Sequence, residues 1–131
     1  MALSATFEQN LLKHLLGVTA MTMPAALYVA LYTTTPTMPA GTGGVEVTGG
    51  AYARQPITFG VTGSGPAVGN NSALVTFPTA TASWGTVVGA ALYDAATGGN
   101  LIDAGPLTSS KTIGTGDVFA VPASNYTLSL T

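Results

Sequence analysis

The chain contains no cysteine, so disulfide bridges and thiolate metal sites are both excluded. It is almost as poor in charge. Three basic and five acidic residues make up 6% of its 131 residues, where a soluble domain carries roughly 25%. Lys13, Arg54 and Lys111 are too scattered to track a phosphate backbone, so nucleic acid is not expected as a partner. A net charge of −2 is too small for long-range steering. A free domain keeps its surface charged to stay dispersed. This chain must cover itself with Thr, Ser, Asn and Gly, or hide much of its outside against other subunits. The second alternative is favoured.

The start, Met1-Ala2-Leu3-Ser4-Ala5, lacks the positive segment of a signal peptide. The apolar run from Leu15 to Tyr32 is interrupted by Gly17, Thr19, Thr22 and Pro24, and its second half alternates like a strand. A membrane span is therefore not expected.

What is present reads as one domain over 1–131, with a helix in 1–17 and a β-rich core over 26–131. Ser4 is placed to cap the helix. Phe7, Leu11, Leu12, Leu15 and Leu16 fall on one helical face. Glu8 lies near the positive end of the helix dipole, and Lys13 and His14 near the negative end. Gly17 is placed to end the helix. After Pro24 the period changes to two. Leu27, Val29 and Leu31 point one way, and Tyr28, Ala30 and Tyr32 the other. Both faces are apolar, which predicts a central strand. Residues 33–44 read as a loop, broken by Pro36, Pro39, Gly41, Gly43 and Gly44. Further strands are predicted over 45–48, 52–59, 73–77, 87–93, 101–104, 118–121 and 126–130, with a hairpin turn at 94–100. Residues 60–71 read as linker-like or as a hairpin loop. Strands at this cadence, with no helices between them, predict a mainly β domain. It is sandwich or jelly-roll-like, with an amphipathic helix at its N-terminus.

Few residues can carry chemistry. His14 has only Asn10 at helical spacing, which is neither acid nor base, so it reads as a surface residue. Asp94 and Asp103 flank one hairpin and can approach across it, but the offsets of a calcium loop are missing. Asp94 reads as a turn cap, and Asp117 likewise. Gly41-Thr42-Gly43-Gly44 lacks the Lys-Ser/Thr of a phosphate loop. No catalytic, metal or cofactor site is assembled, and an enzyme is not expected. Arg54, the one arginine, shares a predicted strand face with Tyr52. It reads either as an intersubunit bridge, with Glu46 or an aspartate as its partner, or as a solvated strand residue. Trp84, the one tryptophan, reads as a core or subunit-contact anchor rather than a sugar platform. The candidates for subunit contact are Arg54, Glu46, Tyr52, Trp84, Phe7, Leu11 and Leu15.

Several runs carry a resemblance. They are Leu11-Leu12-Lys13-His14-Leu15-Leu16-Gly17, Leu27-Tyr28-Val29-Ala30-Leu31-Tyr32-Thr33-Thr34-Thr35-Pro36-Thr37, Gly49-Gly50-Ala51-Tyr52-Ala53-Arg54-Gln55-Pro56-Ile57-Thr58-Phe59, Val75-Thr76-Phe77-Pro78-Thr79-Ala80-Thr81-Ala82-Ser83-Trp84-Gly85-Thr86 and Tyr93-Asp94-Ala95-Ala96-Thr97-Gly98-Gly99-Asn100-Leu101. In this order they resemble small bacteriophage virion proteins labelled tail fibre proteins. The resemblance implies a structural, non-enzymatic protein of the virion, without cofactors. A fibre needs a long shaft or a repeat, and neither is present. The expectation is therefore a homo-oligomeric capsid decoration or cement protein, of the kind that sits as trimers over shell junctions. Its partners would be itself and the major capsid protein or tail proteins, with no membrane. A tail-associated or tail-fibre component is the alternative, and a secreted carbohydrate-binding module is the alternative of another class.

Overall fold

A computed structural model describes residues 2–65 and 67–129. The chain opens with a two-residue strand, β1 (Ala2–Leu3), and then the expected helix, α1 (Ala5–Leu15). Ser4 Oγ accepts a hydrogen bond from the Phe7 amide at 3.2 Å, the capping bond its position predicts. The same hydroxyl donates to the Leu101 carbonyl at 2.6 Å, so the cap also ties the helix to the core. Gly17, at φ +72°, turns the chain out of the helix.

Among the described residues ten strands follow: β2 (Leu27–Thr34), β3 (Val45–Glu46), β4 (Gln55–Ile57), β5 (Phe59–Thr62), β6 (Val68–Asn71), β7 (Val75–Thr76), β8 (Gly85–Tyr93), β9 (Leu101–Ile113), β10 (Ala120–Val121) and β11 (Thr127–Ser129). The largest sheet runs β1-β9-β8-β2-β3, with β4 also paired to β2, all antiparallel. The β7–β10 pair and the β5–β6–β11 sheet lie apart from it. Between them sits the core. Val29, Leu31, Val87, Leu92 and Ile102 of the large sheet pack with Val75, Phe77, Trp84, Phe119 and Tyr126. The domain is mainly β and sandwich-like.

Strand β2 is apolar on both faces because both are covered. Val29 and Leu31 face the main core. Ala30 and Tyr32 face a smaller cluster with Ala91 and Ala104, closed by Met38, Tyr93 and Leu101. Trp84 is 4% exposed, so it is a core residue. Its indole N–H donates to the Gly50 carbonyl at 2.9 Å. A Cβ on Gly50 would lie 2.8 Å from that nitrogen, and Gly50 has φ +58°. Both space and backbone therefore demand glycine there.

Some boundaries differ from the sequence expectation. Residues 52–54 lie outside any strand, because Gly49, Gly50 and Ala51 all take left-handed φ and steer the chain off the sheet. Of the two readings of residues 60–71 the hairpin holds, with most of the stretch in its paired strands β5 and β6 rather than in its loop. Strand β9 continues nine residues past position 104, to Ile113. Its outer side pairs only with β1, at Ala104 and Asp103, so Pro106 and the polar stretch 108–112 are tolerated as they are on an edge. Leu130, where the last predicted strand ends, lies outside the described residues.

Phe77 is 1% exposed and meets the rings of Tyr52, Trp84 and Phe119 at 5.7–6.3 Å. Phe77→Ala is expected to cost about 3–5 kcal/mol in urea denaturation. A loss under about 1 kcal/mol would show that this cluster does not hold the two layers together.

Candidate functional site

Glu46, Tyr52 and Arg54, three of the residues singled out in the sequence, come together. Arg54 Nε and Nη2 donate to the two Glu46 carboxylate oxygens at 2.8 and 2.9 Å. The pair lies within one chain, where the sequence reading had weighed a bridge between subunits. Tyr52 adds its hydroxyl, donating to Glu46 Oε1 at 2.8 Å and accepting from the Leu31 amide at 3.0 Å. Burial pushes the Glu46 carboxyl up, but the Arg54 and Tyr52 hydrogen bonds outweigh it and hold it below the usual carboxylate range.

Arg54 reaches further than the sequence suggested. Its Nη1 donates to the carbonyls of Ala95 and Gly98 at 3.1 and 2.8 Å. Its guanidinium carbon stands 3.6 Å from the Tyr93 ring centre, a cation–π contact. The Tyr93 hydroxyl in turn meets that of Tyr32. Burial pushes the hydroxyls of Tyr32 and Tyr52 up, so both stay protonated. With its side chain 8% exposed, Arg54 locks the 94–100 loop to the β3 strand. Asp94 caps that loop as expected, accepting from the Asn100 amide at 2.7 Å and the Asn100 side chain at 2.9 Å. These bonds hold its carboxyl below the usual range. Asp117 caps its own turn, accepting from the Gly114 amide.

The helix offers the other surface. Phe7 packs against the core and Leu11 is half-buried. Leu12, Leu15 and Leu16 are 57%, 71% and 69% exposed, and Val18 and Met23 are exposed beyond them. The predicted apolar face is thus split, one side on the domain and one in solvent. The segment after the helix folds back on its end. The Lys13 carbonyl accepts from the Val18 and Thr19 amides, and His14 Nδ1 from the Met21 amide at 3.1 Å. Residues 19–25 wall one side of an open cleft of about 550 Å³ against Phe7, Asn10 and Ile102.

A family model for podophage GP4 fiber I protein gp80 matches residues 2–129. The chain belongs to that family. The search of curated proteins finds no match. Membership makes this a phage virion structural protein of fibre type. In this fibre-family chain the described residues gather no group of three or more His, Cys, Asp or Glu. No helix is long and apolar enough to cross a membrane. The large apolar residues that stand exposed are all aliphatic or methionine.

Asp103 is a buried acid that the sequence placed near a turn and across from Asp94. Instead Leu92 stands opposite Asp103 and Tyr93 opposite Leu101, which leaves Ile102 as an extra residue at a register shift between β8 and β9. That extra residue turns Asp103 into the interior, where it is 0% exposed. The Tyr126 hydroxyl faces it, yet neither group has a partner of good hydrogen-bond geometry. Burial pushes the Asp103 carboxyl up to about 6. The alternating pattern of a strand cannot reveal a residue swung inward by one extra position.

Removing the guanidinium leaves Glu46 unpaired and two carbonyls unmet. Arg54→Ala is therefore expected to cost about 3–5 kcal/mol and to speed amide exchange across 94–100. Arg54→Lys is expected to restore little, since an ammonium cannot pair bidentately and stack at once. A lysine variant as stable as the parent in thermal unfolding would contradict this account. Asp103 sets a second expectation. The folded chain holds its proton up to about pH 6, while the unfolded chain releases it near about 3.9. Stability therefore falls as pH rises from about 4 through 6, and levels above. Asp103→Asn should flatten that slope and raise stability at pH 7 by on the order of 3 kcal/mol. An unchanged slope in melts across this range would refute the assignment.

Proposed function

We propose that this protein is a non-enzymatic, homo-oligomeric component of a phage tail fibre. The observation that carries the reading is the family match along 2–129, whose description is of a fibre protein. It moves the balance away from the capsid decoration role favoured on the sequence alone. Neither a shaft nor a repeat is present, so the chain supplies a compact module of the fibre rather than its length. The missing charge supports assembly, because an outside this poor in Lys, Arg, Asp and Glu is better suited to contact than to free dispersion. The aromatic residues are buried or half-buried, which leaves no stacking platform of the kind a carbohydrate-binding module needs.

Location in the particle tests the proposal. A reconstruction of the virion is expected to place this domain in appendages around the tail, in several copies. Density over the capsid shell instead would overturn the tail assignment and favour decoration.

A further inference from the structure

Asp103 lies one thin strand away from water. Among the described residues β9 meets β8 on its inner side and only β1 on its outer side, where the sheet ends. Strand β1 is two residues long and pairs Leu3 with Asp103 and Ala2 with Ala104. Residues directly opposite in an antiparallel pair share a face of the sheet. Leu3 therefore stands beside Asp103 on the core side, half-buried against the main core, and closes the sheet edge over the carboxyl.

The register shift makes this cover necessary. Ile102 belongs to the main core, and Asp103 stands opposite Leu92 of that same core, so two successive residues point inward. Neither carboxyl oxygen of Asp103 has a hydrogen-bond partner. A neutral carboxyl tolerates this far better than a carboxylate, because an unpaired buried charge costs much more than an unpaired polar group. The titratable groups that act on it are the Tyr126 hydroxyl, from the facing layer, and the amino terminus. Both favour the charged form, and burial outweighs them.

The same stretch of β9 holds the start of the helix. The Ser4 amide donates to the Ile102 carbonyl at 2.8 Å, and the Ser4 hydroxyl to the Leu101 carbonyl. The next amide, of Ala5, donates to the Pro39 carbonyl at 2.8 Å. We propose that β1 and the first turn of α1 form a pH-gated latch over Asp103, closed while the carboxyl keeps its proton and released when it loses it. Release breaks two strand pairings and the Ser4 and Ala5 bonds, and it opens the edge of the core so that water reaches the carboxylate. The pairing of β8 with β2 and β9 survives, so the opening is local. Burial of Asp103 by itself makes the whole fold pH-dependent; the latch is the element that gives way first.

Amide exchange of the full chain, followed by NMR and corrected for the intrinsic rate at each pH, tests the latch. In the released state the carboxyl titrates as in a free chain, near about 3.9, and in the closed state at about 6. Opening should therefore grow about tenfold between about pH 5 and about pH 7. Both values lie below the range in which the amino terminus titrates, near about 8. The Ser4 and Ala5 amides are expected to be less protected than those of β8 at both pH values, and to lose about tenfold in protection between them. Asp103→Asn cannot ionise and should leave their protection the same at both. Tyr126→Phe removes a donor that favours the carboxylate, so the loss should exceed the parent's. It keeps the ring in the core, so it reads the latch even where the asparagine variant fails to fold. Protection at Ser4 and Ala5 that does not change with pH would show that β1 opens without uncovering Asp103. Protection equal to that of β8 would show that β1 opens only with the whole domain. Either result overturns the latch.

Discussion

Arg54 is where separated parts of the chain are forced to agree. A guanidinium taken out of water must find acceptors for its donors and a counter-charge nearby, or the fold loses several kcal/mol. Here the counter-charge comes from β3, the acceptors from the 94–100 loop, and the flat partner from the end of β8. Each requirement fixes a different stretch of backbone. Tyr52 links the same carboxylate to the main chain of β2, so the polar knot is anchored in the strand that both cores share. The position of the loop, of the short β3 strand and of the tyrosine layer all follow from one buried charge.

The Arg54 knot and the helix are built on different terms. Around Arg54 the polar groups are paired. In α1 the first turn is sewn to β9 and the last turn faces water with leucines. The division also explains how so few charges suffice. Among the described residues the one ion pair is largely buried and does structural duty, and Asp94 and Asp117 close turns.

The legible features were the local ones. The helix with its Ser4 cap, the two-faced β2 strand and the 94–100 turn are each decided by neighbours within a few residues, and these the sequence displays. Strand β9 runs past the predicted 101–104 through a proline and a polar run, which ordinarily end a strand, because its outer side is bare beyond β1. A hairpin at 60–71 is one of the sequence's two readings, but its strands are masked by glycine and asparagine, which pair through their backbones while offering no alternation. Of the site, Glu46, Tyr52 and Arg54 were visible because charge is so scarce. Tyr93 and the two carbonyl acceptors, 39 to 44 residues away in the chain, were not. The leucine face was visible too, but helical spacing cannot say which leucines a domain keeps. Phe7 went inward and Leu15 outward.

The manner in which Arg54 holds its loop has a consequence for variation. Its two loop bonds go to the carbonyls of Ala95 and Gly98, and Asp94 takes the Asn100 amide. Gly99 is fixed by space, since a Cβ there would lie 2.6 Å from Ala95 and Asp94. Ala96 and Thr97, between these points, are exposed, and none of these bonds reads their side chains. The loop is a frame held by main chain with two open letters at its tip. A substitution at Ala96 or Thr97 changes what the tip presents to the outside and leaves those main-chain bonds in place.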